Sequence, residues 1–217
     1  MKRSHAGFAL CSVIAGAVTA AHADQVFVEI QGTQGNVGRG VAVSLAGGMT
    51  FWDGSTSKVM WAGQRSVAVD GQLVKTYAAE ITARAGTGWH DSATAEQSLS
   101  AAKAGAVQAL FGGASRGQFA RPDEAVAFQT LLWEIVYDYD GTETSIDPAA
   151  GSVSFGAVDR SIFDAMKYSA LRGGPSPEVH VLTSTFHGDQ FRIVPLPSGA
   201  ALAGIGLFGL SFRRNRV

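Results

Sequence analysis

The chain has 217 residues, of which 46% are hydrophobic, with a formal charge of −1 and a single cysteine. Setting aside the cations at the two ends, Lys2, Arg3, Arg213, Arg214 and Arg216, leaves twelve Lys and Arg against eighteen Asp and Glu, a charge of −6. That excludes the basic surface needed to hold a nucleic-acid backbone, and residues 24–192 suit one domain large enough to bury a core.

The N-terminus reads as an export signal. Lys2 and Arg3 form a positive start, Phe8 to Ala20 an apolar run, and Ala21-His22-Ala23 a small-x-small cleavage site before Asp24; this is the pattern of a signal peptide over residues 1–23, cut between Ala23 and Asp24 by signal peptidase. Cys11 lies inside the apolar run and follows Leu10 rather than the small residue a lipoprotein signal needs. The exported chain therefore has no cysteine, which excludes disulfides, cysteine nucleophiles and thiolate metal sites.

From Asp24 the chain reads first as β. Val26, Val28 and Ile30 alternate as one face of a strand. Gly32 to Gly40 is a glycine-rich loop, and short runs follow at Val41–Leu45, Met49–Trp52, Lys58–Trp61, Ser66–Val69 and Leu73–Thr82. Asp70-Gly71 between the last two is a hairpin turn, because both residues tolerate positive φ. A helix is expected over Ala95–Phe111, with Thr94 and Gln97 as a capping box and Gly112-Gly113 as its end. A second starts at Arg121-Pro122-Asp123-Glu124, with Pro near its first turn and acids where the dipole favours them. Phe128, Leu131, Leu132, Ile135 and Val136 cover a wide arc of it, which makes it central to the core. A short strand near Ser152–Phe155, a third helix near Asp159–Leu171 burying Ile162, Phe163 and Met166, and a closing hairpin, Glu178–Phe186 with Gln190–Val194 around Gly188, complete the domain. The expected class is α+β, with β-rich, sandwich-like strands and about three helices.

Motifs for common chemistries fail on spacing. Counted from Asp138, the acidic turn Asp138-Tyr139-Asp140-Gly141 places Gly at position 4 and Ala149 at position 12, so it is not a calcium loop. His90-Asp91 in a loop, His180 and His187 have no zinc-site spacing, so no metal is expected. Gly35, Gly38 and Gly40 lack the strand-to-helix setting of a phosphate loop, and no Gly-x-Ser-x-Gly elbow occurs. No cofactor is expected. Glu80 and Glu134 would form a carboxylate pair for glycoside hydrolysis if the strand of the first packed on the helix of the second; a solvated or capping role for Glu134 is the plainer reading. Trp52, Trp61 and Trp89 are candidate exposed aromatics for polysaccharide.

The end of the chain carries a resemblance. Residues 193–212 are uncharged, with Val194-Pro195-Leu196-Pro197 near the start and Arg213, Arg214 and Arg216 behind. A helix over residues 198–212 would approach the length of a membrane span, and the arginines would hold its end in the cytoplasm; a buried core helix is the alternative. The order of these three parts resembles the VPLPA-CTERM form of the PEP-CTERM sorting signal of Gram-negative, exopolysaccharide-producing bacteria, with Ser198 in place of the motif's Ala. The resemblance implies a transient membrane anchor over residues 193–217, cut by an exosortase-type enzyme, and delivery to the cell surface or extracellular matrix. A permanently anchored inner-membrane protein is the rival.

A second resemblance lies inside the domain. Phe128-Gln129-Thr130-Leu131-Leu132-Trp133 is similar to the Phe/Thr-Gln-x-x-Ile/Leu-Trp helix of bacterial thioester domains, surface adhesins in which an earlier cysteine bonds to the Gln. Thr76-Tyr77-Ala78-Ala79-Glu80 matches the family's Tyr-Cys-x-Glu segment, except that Ala78 stands where the cysteine would be. The resemblance covers roughly residues 40–170. It implies a thioester-domain-like fold without the reactive bond, leaving Gln129 without a partner, and a structural or adhesive, non-enzymatic role.

Overall fold

Asp70 and Gly71 adopt φ 49° and 78°, the two successive left-handed residues of a tight hairpin. The strands they join are β3 (Ser57–Val69) and β4 (Gln72–Ala78), with Val69 opposite Gln72. The structure is a computed structural model that describes residues 24–31, 35–114, 117–172 and 177–194. The signal segment up to Ala23 and the segment from Pro195 to the terminal arginines lie outside the described residues. Among those described, no helix is long and apolar enough to cross a membrane.

The remaining strands are β1 (Asp24–Ile30), β2 (Val37–Leu45), β5 (Gly88–Thr94), β6 (Val153–Phe155), β7 (Val179–Thr183) and β8 (Gln190–Ile193). Six of the eight form a ring in the order β1-β5-β7-β8-β4-β3, closed by Val28 of β1 pairing with Val69 of β3. Every pairing is antiparallel. Closure removes the sheet edges that an open sheet would expose. The expected sandwich is thus a barrel, while the broader α+β class holds. The first half of β3 runs on past the ring and pairs with β2, which in turn pairs with β6.

Several boundaries move. Val37 to Gly40, expected as loop, belong to β2, because Gly38 faces Gly63 across the ladder; a Cβ at Gly38 would collide with the Ala62 carbonyl, so only glycine permits this approach. The runs at Lys58–Trp61 and Ser66–Val69 are one strand, Met49–Trp52 is a loop, and β4 ends at Ala78 rather than Thr82. The helix expected over 95–111 is two: α1 (Ala95–Ser98) and α2 (Ala101–Gly113). The break falls where Ser100 caps α2, its Oγ accepting from Lys103 N–H. The Thr94/Gln97 capping box is present on α1. With α3 (Pro122–Tyr137) and α4 (Arg160–Leu171), the described α-helices number four.

α3 is the hub. Its residues from Ala125 to Ile135 are all buried. One side, with Phe128, Leu131 and Leu132, joins α2, α4 and the outer faces of β4, β7 and β8 through Tyr77, Val181 and Phe191. The other side puts Val126 and Trp133 against Val41, Val43 and Phe155 of the β2–β6 extension, where Trp133 stacks on Phe155 at 5.7 Å. A third cluster, Val26, Val28, Val67, Val69 and Leu182, fills one part of the barrel interior. Burial of this many aromatic and branched side chains is the main stabilising contribution.

Candidate functional site

The cleft that gathers most of the chemistry opens where β3 leaves the barrel. Ladder pairing between β3 and β4 stops at Arg65 opposite Thr76. One side of β4 continues: Ala79 N–H donates to the Asp189 carbonyl at 2.8 Å beside β8. Backbone groups alternate sides along a strand, so Ala78 presents its N–H and C=O to the side β3 has vacated. Gln129, from the first half of α3, supplies what is missing. Ala78 N–H donates to Gln129 Oε1 at 3.1 Å, and Gln129 Nε2 donates to the Ala78 carbonyl at 2.8 Å. A side-chain amide here stands in for the peptide group of a neighbouring strand. Ala78 and Gln129 are therefore in contact, and the expectation that Gln129 lacks a partner is corrected: its partner is backbone. Both amide groups are satisfied, and Gln129 is fully buried.

The cleft has a volume of about 350 Å³. Its walls include Trp52 from the loop after β2, Trp61 and Arg65 from β3, Ala78 from the end of β4, Glu80 from the loop that follows it, Asp189 from the β7–β8 turn, and Trp133 of α3 at the back. The loop after β4 is held by Ile81 N–H donating to Tyr137 Oη at 2.9 Å and by Gly188 N–H donating to the Arg84 carbonyl at 3.0 Å. Lys58 stands 4.5 Å from the centroid of the Trp52 ring and is paired to Asp53. That hydrogen bond, with further ones from Ser55, holds the Asp53 carboxyl well below its usual range. Lys58 thus comes already compensated.

Of the expected pair Glu80 and Glu134, only Glu80 lines the cleft. Glu134 is fully buried, its Oε2 accepting from Asp147 N–H at 2.9 Å while Oε1 has no partner among the described residues. Burial first, then the nearby charge of Asp138, pushes its carboxyl up to about 8. It closes the turn after α3 and does not line the cleft. The acid that shares the cleft with Glu80 is Asp189, which sequence reasoning missed. Its Oδ1 accepts from Ser184 N–H at 3.1 Å, and burial, with the charge of Glu80, pushes it up to about 6.

Other expected positions lie outside the cleft. Trp89 lies on the outer face of β5, 5.3 Å from Phe27 and away from the cleft. His90, expected in a loop, is in β5 and buried, stacked at 6.1 Å on His187. His180 bonds Ser92 and Glu178. Asp138 accepts from the N–H groups of Ser152 and Val153 at 2.7 and 3.2 Å, and Asp140 caps the turn at Thr142. No group of three or more possible metal ligands occurs among the described residues. Val194 is the one sorting-motif residue described; it follows β8 directly, its N–H donating to the Glu178 carbonyl at 3.0 Å. Comparison with protein-family models, with curated proteins and with solved structures finds no match.

Proposed function

We propose that this chain is an exported, non-catalytic protein that binds saccharide polymer at the cell surface or in the extracellular matrix through the cleft walled by Trp52 and Trp61. The observation that carries the reading is that these indoles, from a loop and a strand, converge on one concave site with Arg65, Glu80, Arg84 and Asp189 around it. Sugar rings offer apolar faces that pack on indoles and hydroxyls that bond to carboxylates and guanidinium groups. Export rests on the two ends: a signal peptide over residues 1–23, and a sorting signal whose Val194-Pro195-Leu196-Pro197 precedes the apolar run and Arg213, Arg214 and Arg216. β1 starts at Asp24 and β8 ends at Ile193, so the folded unit fits between those segments. The Gln129–Ala78 contact supports a thioester-domain-like arrangement used without its covalent bond.

Polysaccharide pull-down with the full chain tests binding. The double variant Trp52→Ala/Trp61→Ala should lose at least about tenfold in affinity, the order expected when two stacking residues are removed; unchanged capture would refute the cleft. The intact mass of the protein recovered from the envelope tests delivery, because retention of Arg213 to Arg216 would make the tail a permanent anchor. A glycan hydrolase is the second reading, favoured by the carboxyl pair Glu80 and Asp189 in one cleft. Release of reducing ends that Glu80→Gln abolishes would establish it instead.

A further inference from the structure

The strand register leaves a cation at the cleft without an acid beside it. Arg65, Thr76 and Arg192 lie directly opposite one another on β3, β4 and β8, so all three face the barrel interior, where Thr76 is buried together with Gln190. At a strand spacing of about 4.8 Å, the two arginine Cα atoms stand about 10 Å apart. Arg192 Nη2 donates to Ser92 Oγ at 3.2 Å. Arg65 has no hydrogen bond or ion pair among the described residues, and burial alone pushes its guanidinium down from its ordinary pKa. It is half-buried and lines the cleft.

The walls repeat the same chemistry. Among the cleft residues, the buried polar atoms without a partner are Trp61 Nε1, Trp133 Nε1 and Gln190 Nε2. All are N–H donors, and a guanidinium adds five more with no acceptor. The two acids of the cleft are partly occupied within the protein, Glu80 by Thr82 Oγ1 and Asp189 by Ser184 N–H. What these groups lack is an acceptor, and the strongest acceptor that matches the planar fork of Arg is a carboxylate.

We infer that the cleft selects an acidic saccharide of the uronate class, its carboxylate on the Arg65 guanidinium and its ring against the indoles. This rests on the saccharide-binding reading above and adds the charge of the ligand. The full chain, held in detergent, is titrated calorimetrically with an oligogalacturonate, its fully methyl-esterified form, a neutral gluco-oligosaccharide and a sulfated gluco-oligosaccharide. The acid should bind at least about tenfold tighter than the ester, which keeps the ring and loses the charge. Arg65→Gln should abolish that preference while leaving the weak binding of the ester; Arg65→Lys, which keeps the charge without the fork, should restore part of it. Equal binding of acid and ester by the native chain overturns the inference without need of any variant and leaves saccharide binding standing. Equal binding of the sulfated sugar and the uronate overturns the carboxylate assignment. Binding of none of the four overturns the saccharide-binding reading itself.

Discussion

Replacing Glu134 by Gln should change how stability depends on pH. The native carboxyl is fully buried and raised from 4.5 to about 8, with burial the largest cause. In the unfolded chain the group loses its proton near 4.5, while the folded chain keeps it until about 8, so between those values the folded state holds more protons. Stability contributed by this group is therefore full below pH 4.5 and falls as pH rises through the window. Integrated from 4.5 to 8, the loss is about 4 kcal/mol, a large part of the 5–15 kcal/mol that a domain of this size has. Glu134→Gln keeps an oxygen for Asp147 N–H and cannot ionise. Its stability should be the flatter of the two, so that the variant gains on the native chain at each step from pH 5 to pH 8. Urea denaturation of both proteins across that range measures the difference, in which carboxyls not coupled to Glu134, such as Asp53 and Asp189, cancel. Parallel curves would show that Glu134 is ionised in the folded state, and that the turn after α3 admits water or a cation to it.

Three further substitutions probe the end of β4 at the cleft and the ladders that β3 forms with β2 and β4. Gln129→Leu conserves volume but strips the Ala78 N–H and C=O of their partners; chemical denaturation should show a loss of about 2–4 kcal/mol, and a loss below about 1 kcal/mol would show that water replaces the amide. Gly38→Ala sets a methyl group against the Ala62 carbonyl in the β2–β3 ladder and should cost about 2–4 kcal/mol in the same measurement. Gly71→Ala, at φ 78° with nothing within 4 Å of the new methyl, should cost only about 1 kcal/mol, from backbone strain alone.

The parts legible in the sequence are those in which neighbours along the chain decide the structure. Asp70-Gly71 makes its turn by local dihedral preference, Pro122 and the acids after it start α3, and Asp159 caps α4 by accepting from Ser161 and Ile162 N–H. β5 was hidden because its pattern is inverted: His90 and Ser92 face the barrel interior while Trp89 points out, so alternation of apolar residues gives no signal. Closure of the ring depends on β1 meeting β3, a pairing that neither strand records in its own residues. The cleft shows the same division. Gln129 could be matched from the Phe-Gln-x-x-Leu-Trp pattern and Ala78 from the Tyr77-Ala78-Ala79-Glu80 segment, whereas Asp189 reaches Glu80 only because β8 pairs with β4. The signal that could have found it is the closing hairpin around Gly188, had its partner strand been known.

The resemblance to thioester domains can be tested at the position where this chain departs from them. Gln129 holds the backbone of residue 78 by two hydrogen bonds, and a reactive side chain at that residue tests whether its carboxamide carbon is also within reach. In Ala78→Cys the thiol sulfur would add to that carbon, the C–N bond would break, and one ammonia would leave, with no oxidant or cofactor needed. If α3 and β4 hold the geometry that the resemblance implies, the purified variant should show an intact mass one ammonia below that of its sequence. The thiol at residue 78 should also resist alkylation until methylamine opens the bond. An unshifted mass with a freely alkylated thiol, in a variant whose unfolding curve matches the native one, would mean that Gln129 is placed here as a strand partner and nothing more. In that case the likeness of the helix motif would reflect only the need for a buried Gln to finish β4 where β3 turns away.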